Sequence, residues 1–213
     1  MIALLVDWLN SAAVTSFGTT TSWAEVLGFA SGAVCVWLVA RQSAWNWPIG
    51  IANNLVWILL FYAAGLFADS ALQLVYIALA AAGWIRWIRG RAGNPLPVTG
   101  TSREEWRLLA VAGIIGTAAL TMLLHTATSS TVPFWDAVTT ALSLLATWGQ
   151  VNKRWESWLL WIAADLVYVP LYLHKGLTLT TLLYVGFLVL CVRGLLEWRQ
   201  SSGLPALATT AGR

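Results

Sequence analysis

Charge is what this chain has least of. Asp, Glu, Lys and Arg together make up 10% of its 213 residues, against roughly 25% in a soluble globular domain. So few charges cannot clothe a soluble surface, and a composition that is 59% hydrophobic, with a mean hydropathy of +0.72, excludes disorder. Histidine and cysteine are as scarce, with two of each. His125 and His174 fall at helix ends, and Cys35 and Cys191 lie inside apolar runs. No Cys or His stands nearby at metal-ligand spacing, so the thiols read as buried and unpaired and no metal or cofactor is expected. There is no HExxH, no GxSxG and no Gly-rich phosphate loop, which argues against an enzyme and leaves no catalytic residue to name. Twelve cations dispersed over so apolar a chain are a poor footprint for nucleic acid. The start of the chain lacks a basic segment, and Asp7 interrupts its apolar run, so no cleavable signal is read; residues 2–14 read as a short interfacial helix.

Long apolar runs are abundant. A membrane span needs about 20 mostly apolar residues. Seven windows meet this: Trp23–Ala40, Trp47–Ala64, Phe67–Ile88, Leu108–Leu124, Phe134–Val151, Trp158–Leu173 and Leu177–Trp198. The separators Arg41–Asn46, Ala64–Leu66 and Asn152–Glu156 are short. The stretch Arg89–Arg107, with two prolines and several Gly, Ser and Thr, reads as a solvent loop. Lys and Arg then choose the orientation. Arg41, Arg86, Arg89, Arg91, Arg103, Arg107, Lys153, Arg154, Arg193, Arg199 and Arg213 fall on one side, and Lys175 alone on the other. The expectation is an N-terminus outside, a C-terminus in the cytoplasm, and a multi-pass protein of the cell membrane.

A shift of 111 residues superposes the first three spans on the last three without a gap. Trp37/Trp148, Trp47/Trp158, Gly65/Gly176, Gly83/Gly194 and Trp87/Trp198 match, and Glu25/Asp136 and Asn54/Asp165 are chemically similar pairs. Three spans are an odd number, so one extra span between the copies restores their common orientation. The fold class expected is an all-α integral membrane protein of seven helices, 3+1+3, with parallel three-helix repeats. The segments are 1–22, a first repeat 23–88, a cytoplasmic loop 89–107, a linker helix 108–125, a second repeat 133–198 and a cytoplasmic tail 199–213. Parallel repeats of this kind place a substrate between them near the midplane.

Polar side chains at membrane depth are costly unless paired or hydrated, and so they point to the site. Asn53 and Asn54 lie in span 2, Asp69, Gln73 and Tyr76 in span 3, Asp165, Tyr168 and Tyr172 in span 6, and Thr180, Thr181 and Tyr184 in span 7. Asp165 has no Lys or Arg at its depth. It either hydrogen-bonds across the repeat axis, with Asn54 the candidate, or faces a wet cavity. Trp158, Trp161, Asp165, Tyr168 and Tyr172 recur at spacings of three and four and share one helix face. Trp158 reads either as a lipid-belt residue, like Trp47, or as part of the site. Trp161 aligns with Gly50 and offers a stacking face one turn from Asp165. Gln73 and Tyr76 share a face of span 3, as core or as site. Most of the other tryptophans near the arginine-rich helix ends read as an aromatic belt. Aromatic faces, hydroxyls and one carboxylate, with no Lys or Arg for a phosphate, suit a flat, neutral or cationic, non-phosphorylated solute.

Trp158-Leu-Leu-Trp161-Ile-Ala-Ala-Asp165, with Glu156 before it and Pro170-Leu-Tyr-Leu-His-Lys-Gly176-Leu after it, resembles the last repeat of the PnuC-type nicotinamide riboside transporters. So do Gly65-Leu-Phe-Ala-Asp69-Ser-Ala-Leu-Gln73-Leu-Val-Tyr76, Gly83-Trp84-Ile-Arg-Trp87, Gly50-Ile-Ala-Asn53-Asn54 and the run from Pro133 to Ser143. The resemblance covers residues 22–198. It implies a 3+1+3 fold related to the SWEET sugar transporters, a homotrimer, and facilitated diffusion of the vitamin. Uptake would be driven by a cytosolic nucleoside kinase that traps the substrate as its phosphate. It also implies binding positions at Asn54, Gln73, Tyr76, Trp158, Trp161 and Asp165, beside which the depth argument adds Tyr168 and Tyr184. Sister families take thiamine or riboflavin, so these remain alternative substrates.

Overall fold

The computed structural model describes residues 2–16, 19–63, 65, 67–91, 93–128, 132–174 and 178–203. Ala64, Leu66, Lys175, Gly176, Leu177 and Arg213, used above for the repeat and the orientation, lie outside the described residues, as do the side chains of Glu25 and Thr180. The described chain is helical: α1 (Ile2–Asn10), α2 (Trp23–Ala40), α3 (Asn46–Ala63), α4 (Phe67–Arg89), α5 (Arg103–Ala127), α6 (Pro133–Val151), α7 (Ser157–His174) and α8 (Thr178–Ser201). Residues 2–14, expected to form one short interfacial helix, divide instead: α1 ends at Asn10 and a strand begins at Ala12. Strands β1 (Ala12–Ser16) and β2 (Thr19–Ser22) pair antiparallel between α1 and α2. Their Thr and Ser run is a β-branched, polar segment that suits a surface hairpin.

The helix ends follow local chemistry. α5 opens with a capping box, in which the Glu105 amide donates to the Ser102 hydroxyl and the Ser102 amide donates to the Glu105 carboxylate; two otherwise orphaned donors are thereby satisfied. Pro133 starts α6, where its missing N–H costs nothing. α2 and α6 both end in a left-handed residue, Gln42 (φ 54°) and Lys153 (φ 48°), which are repeat-equivalent. Pro170 sits inside α7, which continues past it to His174.

Among the described residues, four stretches are long and apolar enough to cross a membrane: Asp69–Arg89, Arg103–Ala127, Ser157–His174 and Thr181–Ser201. Val26–Ala40 is a shorter apolar helix. α3 and α6 carry amides and hydroxyls that lower their hydropathy, and α6 buries Thr139, Ser143, Thr147 and Gln150 inside the bundle.

The packing closes a ring. α2 packs on α3, α3 on α4, α4 on α6, α6 on α7, α7 on α8, and α8 back on α2, while α5 lies outside against α6. α5 buries none of its own residues. The seams α4·α6 and α2·α8 join the two repeats and are equivalent to each other under the shift.

At the arginine-rich end the equivalence extends to atoms. The Trp47 ring covers Gly83 and meets Trp87 edge-on, with centroids 5.3 Å apart. The Trp158 ring covers Gly194 and meets Trp198 edge-on at 5.6 Å. Trp87 Nε1 donates to the Gln150 carbonyl at 3.0 Å, and Trp198 Nε1 donates to the Val39 carbonyl at 3.0 Å. Val39 and Gln150 are themselves repeat-equivalent, so each repeat places an indole at the last turn of the other's first helix, α2 or α6. These four tryptophans anchor the main core. They are not a lipid belt: Trp158 and Trp198 are 0% exposed, whereas Trp45 is 71% exposed.

The stretch from 89 to 107 is also more than a solvent loop. Leu96 and Val98 are buried in the same core, and the strand-like pairing of Thr99 with Lys153 and Trp155 ties it to the turn after α6. Glu156 accepts from the Thr101 amide and hydroxyl, both at 2.9 Å. Alternating apolar residues in a short polar loop are easily read as solvent-facing; only the cleft between α4 and α6 gives them a place to bury.

Candidate functional site

The polar side chains of the helix interior meet where α4, α6, α7 and α8 converge. α7 supplies Asp165, Tyr168 and Tyr172 from one face. Tyr168 and Tyr172 stack at 5.5 Å with an interplanar angle of 11°. Both lie against Tyr184 of α8, at 4.9 and 5.0 Å. Phe29 of α2 and Phe187 of α8 complete the group: Phe29 meets Tyr184 edge-on at 6.2 Å and stacks on Phe187 at 5.9 Å.

The opposite side is hydroxylic. Tyr76 of α4 is partnered by Ser143, and Tyr168 by Thr139, both on α6. Asp136, one turn before Thr139, is within electrostatic reach of Asp69, Tyr168 and Tyr172.

The repeat explains why the walls differ. Gly32 and Ser143 are equivalent, as are Phe187 and Tyr76. Phe187 closes on Gly32, whose added Cβ would stand 3.3 Å from the ring; Tyr76 closes on Ser143. Trp57 packs on Gly28, and the equivalent Tyr168 pairs with Thr139. The Trp57–Phe61 stack at 5.3 Å matches the Tyr168–Tyr172 stack. One scaffold therefore carries glycine with aromatics on one seam and hydroxyls with tyrosines on the other.

Asp165 is 4% exposed. Its side chain meets the Cys191 thiol of α8, and its Oδ2 has no hydrogen-bond partner. Trp161, one turn earlier, is half-buried against the main core with an unpartnered indole N–H. A buried polar atom without a partner is costly and rare in native structures. Of the four such atoms on α7, those of Ser157 and Trp158 lie at its first turn in the packed core, whereas Asp165 Oδ2 lies beside the tyrosine group, where a ligand can bond it.

The eight expected site residues separate into groups. Asp165, Tyr168, Tyr184 and Tyr76 come together, and Trp161 lies beside them on α7. Gln73 is half-buried one turn before Tyr76, at the position equivalent to Tyr184. Asn54 is half-buried on α3, and the cross-axis pairing proposed for it is absent: Asp165 pairs with Cys191 instead. Trp158 is corrected to a packing residue, since its ring is enclosed by Gly194 and Trp198 and presents no free face. Sequence reasoning missed Cys191, Phe29, Phe187 and Thr139. Thr139 and Ser143 had a readable signal, hydroxyls at i and i+4 on one helix face. The others are apolar residues that only the packing distinguishes. Both cysteines are free, Cys191 buried and Cys35 half-buried.

Apolar helices closed around a buried, aromatic and hydroxyl-lined interior, with an unpartnered carboxylate oxygen beside it, have the build of a multi-pass membrane transporter. The family follows from comparison with known proteins: the model of the nicotinamide mononucleotide transporter family matches residues 22–200, and the chain belongs to that family. It is 30% identical over 197 residues to the riboflavin/roseoflavin transporter RibM of Streptomyces davaonensis, covering 91% of this chain and 92% of that one. It is 23% identical over 215 residues to the nicotinamide riboside transporter PnuC of Escherichia coli strain K12, covering 87% and 88%. The crystal structure of a vitamin B3 transporter PnuC superposes with a TM-score of 0.69 at 22% identity, over 85% of this chain and 82% of that one, and shows the shared fold. These relatives are transporters, not enzymes, and this protein is a PnuC-type membrane transporter of a small molecule.

Proposed function

We propose that the protein takes up nicotinamide riboside, binding its ring against Trp161 and the tyrosine group and its ribose against the α6 hydroxyls. The carrying observation is the unpartnered Oδ2 of Asp165. A carboxylate in an apolar interior without a Lys or Arg beside it favours a cationic ring as its partner. The absence of Lys and Arg from the residues of this interior disfavours a phosphorylated substrate. Nicotinamide riboside has a flat cationic ring, a carboxamide and ribose hydroxyls, and no phosphate.

Riboflavin is the second reading, favoured by the 30% identity to RibM. A flat neutral ring and a polyhydroxyl chain also suit an aromatic seam facing a hydroxylic one. Titrating purified protein with nicotinamide riboside, riboflavin and thiamine decides: binding of riboflavin without nicotinamide riboside overturns the first reading.

In this proposal the seven apolar helices α2–α8 span the cell membrane as 3+1+3, N-terminus outside and C-terminus in the cytoplasm. The two halves rock about the site to give alternating access, and a cytosolic nucleoside kinase traps the substrate as its phosphate. The resemblance supports a homotrimer. The Lys and Arg asymmetry supports the orientation, and the paired seams support rocking of one repeat against the other.

A further inference from the structure

A pocket of about 640 Å³ opens at the arginine-rich end, between the last turn of α4, the segment 96–99 and the turn after α6. Arg86, Arg89, Arg91 and Arg154 line it, and no Asp or Glu does. Among the described residues there is one ion pair, Arg154 with Glu105 at 2.5 Å. Arg86, Arg89 and Arg91, all exposed, therefore line the pocket without an ion-pair partner among the described residues. Arg154 is held rigidly, donating to the Thr99 hydroxyl at 2.6 Å and the Gly100 carbonyl at 2.9 Å, yet its Nε is buried and has no acceptor.

Positive-inside sorting accounts for arginines at this end of the helices. It does not account for three unpaired arginines lining one concavity beside a fourth, Arg154, whose single carboxylate partner Glu105 lies outside the lining. Like charges gathered in one concavity repel, and an anion relieves that repulsion. Guanidinium forks match phosphate oxygens two at a time, and the volume lies within the range of small-ligand sites. We propose that this pocket binds a phosphate-bearing anion, either the headgroup of an anionic phospholipid or a soluble phosphorylated metabolite. Its walls come from both repeats, at the level where Trp87 bonds the Gln150 carbonyl, so the bound anion ties the two halves together at this end. The site is distinct from the transport interior and does not depend on which vitamin is carried.

The test uses purified full-length protein in phosphatidylcholine nanodiscs, with two probes: inorganic pyrophosphate in solution, and phosphatidylglycerol replacing part of the phosphatidylcholine. Melting temperature is followed for both, and calorimetry for pyrophosphate. At least one probe is expected to stabilise the protein saturably. R86Q/R89Q/R91Q should abolish the response, while R103Q/R107Q/R193Q, three arginines outside the pocket, should keep it. Because removing cations can also disturb insertion, R86K/R89K/R91K keeps the charge and removes the forks; it should weaken the responding probe about tenfold. A response to pyrophosphate assigns a soluble ligand, and a response to phosphatidylglycerol alone assigns a lipid headgroup. No saturable response to either probe, or equal losses in the pocket and control variants, overturns the proposal.

Discussion

Asp165 concentrates the chemistry of this protein into one side chain. Cys191 meets its carboxylate, the tyrosine group shields it, and one oxygen is left for a ligand. Asp165→Asn should weaken nicotinamide riboside about ten- to hundredfold, the range for a bond to a charged group, and change riboflavin binding much less. Equal losses measured by calorimetry would remove the charge role. Trp161→Ala should cost a stacking contribution of about 0.5–1.5 kcal/mol in affinity, read by calorimetry, with a smaller drop in melting temperature than a fully buried tryptophan would give. Trp158→Ala should instead lower the melting temperature by a core-cavity cost of about 3–5 kcal/mol. The two tryptophans share one stripe in the sequence, at spacing three. Only the packing separates them, because Gly194 of α8 accepts the Trp158 ring and encloses it, whereas Trp161 is only half-buried. Gly194→Ala tests that contact: a Cβ would stand 2.5 Å from the Trp158 ring, and overpacking of this kind costs about 1–3 kcal/mol.

At the scale of elements, the 111-residue shift is the organising fact. It was readable in shared Trp and Gly residues, whose spacing a lipid environment alone does not require. Its meaning was not readable. The reciprocal bonds from Trp87 and Trp198 to the last turn of the opposite repeat's first helix join residues more than 60 positions apart, and no periodicity reports that. Trp87→Phe and Trp198→Phe should each lose about 0.5–1.5 kcal/mol of net hydrogen bonding. The Gln150 and Val39 carbonyls keep the amides of Lys153 and Gln42 as partners, while Trp198→Phe also gives up the longer bond to the Ala40 carbonyl at 3.2 Å. Comparable drops in melting temperature are expected for the two variants; a loss confined to one would break the equivalence of the seams. The start of α5 was misplaced: hydropathy put it at Leu108 with 89–107 as loop, but the Ser102–Glu105 capping box starts the helix at Arg103, and Ser102→Ala should cost about 1 kcal/mol. The paired strands β1 and β2 were not legible, because their short polar runs carry no alternation strong enough to distinguish them from a loop.

For the whole molecule, the proposed orientation predicts that a C-terminal green fluorescent protein fusion is bright in cells and a C-terminal alkaline phosphatase fusion inactive; the opposite pattern would reverse the topology. Uptake into proteoliposomes should ignore imposed proton and sodium gradients, and accelerated uptake under either would replace facilitated diffusion by coupling. Apolar composition, run length and repeat were enough to establish a helical membrane protein of two related halves, since burial in hydrocarbon leaves a chain few other options. They also placed Asp165, Tyr168, Tyr76 and Tyr184 among the candidates, because polar groups at depth are few. Tertiary packing decided which of those candidates share one interior, moved Trp158 into the core, and gave Asp165 a thiol instead of an amide. The physical reason is that hydropathy is a property of each residue along the chain. A seam, a closed ring or an unpartnered oxygen is a relation between residues that only the fold brings together.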